Sequence, residues 1–306
     1  MSQATTAERS ARGQLAAEGR ARPAARARIL RVPPIIIGFF TVLALLIVVA
    51  LAAPLIATHD PGRQDLLARL QPPAGFEGGS SAHLLGTDHL GRDVFSRLVY
   101  GARVSLGIGL VGMLIGMTIG STLGILAGYV RGILDEAVMF LVDVQLALPF
   151  LIIALGAIAI YGTSLTVLIL VIGFFGWEYY ARITRGMVLS ARGAQYVQAA
   201  EALGASQMRV MVRHVLPNIS APIIVWATFQ LTGIILLETS LSFLGIGVQP
   251  PTPSWGSMIG EGRDFLNTAW WIAVVPGVTI VLATMTVSLL GDWLRDVFDP
   301  TLRGRS

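Results

Sequence analysis

Long apolar stretches alternate with polar segments along this chain of 306 residues. The apolar runs cover residues 34–57, 104–130, 137–177, 221–246 and 270–291. A helix needs about 20 apolar residues to cross a hydrocarbon layer of about 30 Å, and every run meets that length. The run at 137–177 is too long for one helix and contains the turn signal YGTS, so we divide it into spans at about 137–160 and 164–184. The pattern predicts an all-α integral membrane protein with six transmembrane helices.

The first apolar run follows a basic leader, residues 1–33, which contains seven arginines and two glutamates. A signal peptide is one alternative, because ALA at 50–52 resembles a cleavage site, but the leader and the run are both too long for one. A nucleic-acid-binding arm is another alternative for the leader. We predict instead a disordered cytoplasmic tail at 1–33 and a transmembrane helix after it.

Arginine is distributed unevenly between the segments that connect the spans. With the N-terminus inside, the inner segments contain 16 arginines and the outer segments contain six. Because basic residues are retained on the cytoplasmic side, this bias predicts cytoplasmic N- and C-termini. It also predicts outer, periplasmic loops at 58–103 and 247–269 and a cytoplasmic hairpin at 194–218. The arginines form no single basic face, so nucleic acid is not a predicted partner.

The composition excludes several classes of protein. Hydrophobic residues make up 54% of the chain and charged residues 13%, against about 25% charged residues in soluble domains. The absence of cysteine excludes disulfides, thiolate zinc sites and iron–sulfur clusters. All 22 basic residues are arginine, so the chain has no lysine for a P-loop.

The chain lacks the residues expected of two other classes of membrane protein. A membrane enzyme would need a catalytic set, and the chain has no HExxH motif or paired catalytic carboxylates. An ion-coupled secondary transporter would need a coherent set of midplane acids and usually an internal repeat. The chain has three scattered acids in its spans and no clear repeat.

The segment QAAEALGASQMRVMVRHVLPN, residues 198–218, is polar and patterned in a largely apolar part of the chain. Residues 198–203 are predicted to form a short helix that ends at Gly204, because glycine reaches the left-handed conformation with positive φ. Ser206 is predicted to cap a second helix, and Pro217 to close it before the next span. Two short helices with a sharp bend form a knob at the membrane surface, which suits contact with a partner that binds ATP.

This segment resembles the cytoplasmic signature of ABC-importer permeases, in which Glu-Ala-Ala is followed by Gly and then by Leu-Pro. Two further stretches are similar to the second permease subunit of the dipeptide/oligopeptide/nickel branch. They are LLGTDHLGRDVFSRLVYGARVSL at 84–106 and SLSFLGIGVQPPTPSWGSMI at 240–259. The end, GDWLRDVFDPTLR, fits as well. The resemblance covers roughly residues 35–303 and excludes the tail.

The resemblance implies the transmembrane domain of a type I ABC importer in the bacterial inner membrane, without catalysis or a cofactor. Small peptides are the expected cargo, and nickel chelates, glutathione or other small solutes stay open. The implied partners are a sister permease, two ATP-binding subunits and an extracytoplasmic substrate-binding protein. The hairpin would be the coupling helix pair, which sits in a groove of an ATP-binding subunit.

The candidate coupling residues are Gln198, Ala199, Ala200, Gly204, Arg213, His214, Leu216 and Pro217. Two of them depart from the broad signature. Gln198 replaces the usual glutamate and offers hydrogen bonds but no charge. His214 stands where the signature has isoleucine.

Three acids fall within the predicted spans, where charges are costly and often functional. Asp143 and Glu178 lie near the cytoplasmic side, and we predict that each either extends its carboxylate to the membrane surface or pairs with a nearby arginine such as Arg182 or Arg185. Glu238 lies deeper, toward the outer half. It either faces the translocation pathway or partner permease, or makes a hydrogen bond to a serine or threonine within the bundle.

Polar residues also cluster in the first outer loop. His83, Asp88, His89 and Asp93 could suggest a metal site, but two histidines six residues apart in a loop are weak evidence for one. We predict no metal there, and favour a structural or receptor-docking role.

Glycine recurs every four residues in the second span. The positions are Gly112, Gly116, Gly120, Gly124 and Gly128. Small residues at this spacing let helix backbones approach closely in lipid, so we predict a packing face.

Overall fold

The computed structural model describes residues 33–298, and the regular structure of that part is helical. The predicted tail at 1–33, apart from Pro33, lies outside the described residues. In chain order the helices are α1 (Pro34–Leu51), α2 (Ala53–Ile56), α3 (Val94–Val130), α4 (Ile133–Ala147), α5 (Phe150–Tyr161), α6 (Leu165–Phe175), α7 (Trp177–Arg192), α8 (Gln195–Ala202), α9 (Gln207–Val210), α10 (Leu216–Phe243), α11 (Trp255–Gly262) and α12 (Trp271–Phe298).

Within the described part, five segments are long and apolar enough to cross a membrane: α1, α3, α6 with α7, α9 with α10, and α12. The pair α4 and α5, whose axes differ by 91°, makes a sixth crossing if it counts as one broken span. Pro149 has no N–H and disfavours a helical conformation at the preceding residue, and Leu148 is extended with ψ of 130°. Six spans are therefore confirmed when the bent pair counts as one, but the expected single helix over 137–160 is wrong.

The connections define two ends of the bundle. The loop end consists of residues 57–93 and 244–270, which join α2 to α3 and α10 to α12. The hairpin end consists of residues 193–215, between α7 and α10. The first loop is joined directly to the start of α12, because the indole N–H of Trp271 donates to the carbonyl oxygen of Thr87 at 3.0 Å.

The regularly spaced glycines of α3 lie against α6 and α7. A Cβ built on Gly116 would be 3.1 Å from the carbonyl oxygen of Gly173, and one built on Gly120 would be 2.1 Å from that of Trp177. At Gly120 only a residue without a side chain permits backbones this close. The predicted packing face is confirmed.

The first loop is shorter than predicted, because α3 begins at Val94. Asp93 caps this helix: its carboxylate accepts a hydrogen bond from the N–H of Ser96 at 2.8 Å. The last ten residues of the predicted loop 58–103 are therefore helical. Hydropathy did not reveal this extension, since its residues are mixed in polarity.

Helix α11 fills the space between α3, α10 and α12 at the loop end. Trp255 is fully buried, and its indole N–H donates to the carbonyl oxygen of Leu98 at 3.1 Å. On the opposite side, a Cβ on Gly256 would be 2.7 Å from the Cα of Thr239 in α10. Close contacts on both sides make α11 a fixed wedge in the bundle.

Candidate coupling site

The first helix of the hairpin, α8, ends in a Schellman motif at Gly204. The N–H of Ala205 donates to the carbonyl oxygen of Ala200 at 3.1 Å, and the N–H of Gly204 donates to that of Glu201 at 2.9 Å. Gly204 has φ of 81°, and no atom lies within 4 Å of the place a Cβ would take. Backbone conformation, and not space, therefore selects glycine here. The predicted helix end and its positive φ are confirmed.

The second helix of the hairpin does not stop at Pro217. It passes from α9 through one π turn, Met211–Val215, directly into α10, and the N–H of Leu216 donates to the carbonyl oxygen of Met211. Pro217 lies in the first turn after this wider turn, where proline is tolerated. The expectation that Pro217 closes the second helix is wrong. The hairpin and the following span form one continuous element.

Ser206 also differs from its prediction. It occupies the N-cap position of α9 with an extended backbone, but its side chain makes no capping hydrogen bond. The start of α9 depends instead on its contact with the end of α3. There the hydroxyl of Tyr129 donates to the carbonyl oxygen of Gln207 at 2.7 Å.

Apolar side chains fix the hairpin to the bundle. The fully buried ones are Val197, Val210 and Val215, all part of the main core. The two arms are also joined by a hydrogen bond from the Asn218 amide to the Tyr196 hydroxyl at 3.1 Å. Sequence reasoning missed Tyr129 and Tyr196, because their partners lie 78 and 22 residues away in the chain.

The tip of the hairpin presents apolar side chains to solvent. Leu203 is 89% exposed and Met208 is 73% exposed. Among the predicted coupling residues, Ala200 and His214 are partly buried. The exposed ones are Gln198, Ala199, Gly204, Arg213, Leu216 and Pro217.

The two residues that depart from the signature have partners within the hairpin. The amide of Gln198 donates to the carbonyl oxygen of Gly193 at 3.3 Å. The ring of His214 lies 6.4 Å from that of Tyr196. Gln198 therefore stabilises the start of α8 without any charge.

Two families match the chain. Residues 120–304 match the family described as binding-protein-dependent transport system inner membrane component. Residues 25–73 match the N-terminal transmembrane domain of oligopeptide transport permease C. The first match covers more than half of the chain and includes the whole hairpin. The chain belongs to this family of transport permeases.

Similar proteins extend the match over most of the permease. The di/tripeptide transport system permease protein DppC of Pseudomonas aeruginosa (strain UCBPP-PA14) is 43% identical over 267 residues, which cover 87% of this chain and 88% of the relative. The dipeptide transport system permease protein DppC of Escherichia coli (strain K12) is 46% identical over 268 residues, covering 88% of this chain and 89% of the relative.

A solved structure supports the fold. A chain of the methionine ABC transporter MetNI, in an inward-facing conformation, has a TM-score of 0.53 at 20% identity and covers 66% of the permease and 97% of that chain. The expected transmembrane domain of a type I ABC importer is confirmed.

At the loop end of the permease, Asp93 joins two segments of the first loop to α3. Its carboxylate accepts a hydrogen bond from His83 Nδ1 at 2.9 Å and one from the Thr58 hydroxyl at 3.2 Å, besides those from Ser96. Burial raises the pKa of Asp93, but the hydrogen bonds from Ser96 and His83 outweigh it, so the pKa lies below its usual value. The folded loop therefore stabilises the ionised form of the Asp93 carboxylate.

Two buried arginines and two acids form a second network at this end. Arg92 Nε donates to Asp88 Oδ2 at 2.6 Å, and Arg92 Nη2 donates to Glu261 Oε2 at 2.5 Å. Arg97 Nη2 donates to the same Glu261 oxygen at 2.9 Å. The network links the loop and α3 to α11. Sequence reasoning missed Glu261, because 164 residues separate it from Arg97.

Several side chains at the loop end lie close enough together to bind one metal ion. Two groups have donor atoms within 4.8 Å of one another: His59, His83 and Asp93, and Asp88, His89 and Glu261. Asp93 is already a hydrogen-bond acceptor, and Asp88 and Glu261 are paired with arginine. The ring of His89 is stacked on that of Phe265 at 5.5 Å. These contacts tie the three carboxylates to the protein, and the structural or receptor-docking role of the loop residues stays a prediction.

The acids of the spans have different partners. Asp143 forms an ion pair with Arg182, as predicted. Glu178 is fully buried, and it accepts a hydrogen bond from Gln145 at 3.0 Å. Both predicted alternatives are wrong for Glu178. Its buried carboxylate does not reach the membrane surface, and Arg185 binds Asp135 on α4 instead, at 2.7 Å.

Glu238 is fully buried within the subunit. It accepts a hydrogen bond from the hydroxyl of Ser242, one turn further along α10, at 2.7 Å. The same Ser242 oxygen accepts from the N–H of Val248 at 3.1 Å, so it links α10 to the following loop. The hydrogen bond within the bundle is therefore present. A role for Glu238 in translocation stays a prediction.

Proposed function

We propose that this permease is the second permease subunit of an ABC importer for small peptides and forms half of its translocation pathway. The observation that carries the proposal is the 43–46% identity to the two DppC permeases over nearly the full length of each chain. Those relatives are described as dipeptide or di/tripeptide permeases, and the match includes both the loop end and the hairpin.

The proposed orientation follows the arginine distribution. The hairpin end, both termini and the tail at 1–33 face the cytoplasm, and the loop end faces the periplasm. The loop end is then available to a substrate-binding protein. The buried networks around Asp93 and Glu261 support a loop end that keeps its shape when that protein docks.

The proposed partners are a sister permease, two ATP-binding subunits and the binding protein. ATP hydrolysis belongs to the ATP-binding subunits, whose groove receives the apolar tip at Leu203 and Met208. The π turn makes the hairpin continuous with α10. A displacement of the tip is therefore carried along one helix toward the loop end, and not absorbed in a flexible joint.

A pair of substitutions at Gly204 tests the coupling role. Asparagine tolerates the left-handed conformation, whereas a β-branched residue there costs about 1–2 kcal/mol or more. In a reconstituted complex, Gly204→Asn should keep the stimulation of ATP hydrolysis by loaded binding protein, and Gly204→Val should lose most of it. Normal stimulation in an assembled Gly204→Val complex would contradict the proposed coupling.

The cargo is tested through the cognate binding protein. Calorimetry with dipeptides, tripeptides, glutathione and nickel chelates should find tight binding of small peptides. The same peptides should then be taken up by vesicles that contain the whole complex and ATP. Binding of a nickel chelate without any peptide binding would replace the proposed cargo and leave the permease role intact.

A further inference from the structure

Helix α4 is attached to α7 by polar contacts along its length. Asp135 and Asp143 form ion pairs with Arg185 and Arg182. Near the end of α4, Gln145 makes three hydrogen bonds to the junction of α6 and α7. These contacts hold α4 against α7 throughout.

Gln145 uses both ends of its amide. Its oxygen accepts from the indole N–H of Trp177 at 2.7 Å. Its nitrogen donates to the carbonyl oxygen of Phe174 and to Glu178 Oε2, each at 3.0 Å. Glu178 is fully buried, so loss of its hydrogen bond to Gln145 would be costly. The three hydrogen bonds together favour one position of this end of α4.

Beyond the break at Leu148–Pro149 the polar contacts stop. In the described residues no side chain of α5 takes part in a hydrogen bond or an ion pair, and its contacts are apolar, such as the ring of Phe150 on that of Phe175 at 4.1 Å. The far end of α5 is a second break, at Gly162, which has φ of 80° and open space around it. Helix α5 is thus a 12-residue segment with a joint at each end.

A cavity of about 360 Å³ lies beside α5. Side chains of α5 and α6 line it together with Gln145, among them Ile153, Ala157, Val171 and Phe174. The cavity is open on one side, where Leu170 and Phe174 of its lining are exposed. A space of this size lets α5 approach α6 without overlap, whereas the backbones of α3 and α7 are already in close contact at Gly120.

We propose that α5 is a movable arm of the translocation pathway, and that Gln145 is the positioning residue that fixes the joint about which it turns. The inference rests on the proposed transport function. Because Gln145 keeps α4 on α7, the turning at this end of α5 takes place at Leu148–Pro149, where no helical hydrogen bond has to break. The arm moves into and out of the α5–α6 cavity as the pathway opens and closes.

Cross-linking tests the arm directly, since the chain contains no cysteine. In the reconstituted complex, Ala157→Cys with Val171→Cys places one thiol on each wall of the cavity. A bifunctional thiol reagent that bridges them should lower peptide uptake about tenfold, and reductive release should restore it. Unchanged uptake in a complex shown by mass to be bridged would overturn the proposal.

The matched control bridges α4 to α7 on the fixed side of the joint. Asp143 and Arg182 are 68% and 53% exposed, so cysteines there are accessible to the same reagent. Bridging this pair should leave uptake within about twofold of the same variant before bridging. An equal loss in both pairs would contradict a motion confined to α5.

A donor–acceptor exchange tests Gln145. Gln145→Glu places two carboxyl groups together and should lower the ratio of stimulated to basal ATP hydrolysis. Adding Glu178→Gln restores one amide and one carboxylate, so the double variant should recover most of that ratio. A purely structural role would lower complex assembly instead, measured by co-purification. A normal ratio in Gln145→Glu, or no recovery in the double variant, would overturn the positioning role.

Failure of the cargo assignment can be distinguished from failure of the inference about α5. If the unmodified complex takes up no peptide, the cargo assignment is wrong. The effect of the two bridges on the ATP hydrolysis rate, which does not require the cargo to be known, then decides the inference about α5.

Discussion

Gly120 provides a direct test of how α3 and α7 hold the bundle together. A Cβ at this position would lie 2.1 Å from the carbonyl oxygen of Trp177 and 2.7 Å from the Cβ of Tyr180. Neither atom can rotate away, since one belongs to the backbone and the other is fixed to it. Gly120→Ala can therefore be accommodated only if the two helices separate.

The size of the effect follows from these distances. Ordinary van der Waals contact begins at 3.4 Å, so the helices must separate locally by about 1.3 Å. Overpacking of this kind costs about 1–3 kcal/mol, and the better helix propensity of alanine returns about 0.5–1 kcal/mol. Because separation also loosens the contacts of Gly116 and Gly124, we expect a net loss of about 2 kcal/mol. Because a chain of 306 residues has a large unfolding entropy, this loss should lower the midpoint of thermal unfolding by about 3 °C.

The assay is thermal unfolding of the purified complex in detergent, followed by tryptophan fluorescence. Gly107→Ala is the matched control, because Gly107 lies in the same helix and nothing lies within 4 Å of its Cβ position. The control should unfold at or slightly above the temperature of the unmodified complex. Equal midpoints for Gly120→Ala and Gly107→Ala would refute the packing role of the glycine face.

Three further predictions follow from the loop end and the proposed orientation. Single cysteines at Ser206 and Thr252, both exposed, test the orientation. The cysteine at 206 should react with an impermeant thiol reagent from the cytoplasmic side, and the one at 252 from the outer side. Labelling of position 206 in intact cells would contradict the proposed orientation. Because the pKa of Asp93 is lower when folded, its stabilisation is fully present above its unfolded pKa of about 3.9 and is lost as pH falls through the folded value. Thermal midpoints should thus be flat above about pH 5 and fall below about pH 4, and Asp93→Asn should reduce that fall; an identical acid profile in the variant would contradict the assignment. Glu261→Ala should cost about 3 kcal/mol by leaving two buried arginines with one carboxylate, which urea or thermal unfolding would measure; a loss below about 1 kcal/mol would show that the network is dispensable.

Features that depend on neighbouring residues in the chain could be predicted from the sequence. The spans follow from runs of apolar side chains, whose transfer to hydrocarbon is favourable wherever they stand in the fold. The bend at Gly204 follows from the freedom of glycine at positive φ. The glycine face of α3 follows from the spacing of one helix. One local prediction was wrong. Pro217 was expected to end a helix, but the π turn before it lets the helix continue.

Contacts between distant segments were decided only by the tertiary structure. Glu261 meets Arg92 and Arg97 across more than 160 residues, and Gln145 meets Trp177 and Glu178 across more than 30. Nothing in a local pattern favours these partners over others, because hydrophobicity and backbone propensity place helices without fixing which polar side chains face each other. Once the helices are packed, each buried polar group must find a partner within hydrogen-bond reach. In the packed bundle Gln145 donates a hydrogen bond to Glu178, and Arg185 pairs with Asp135.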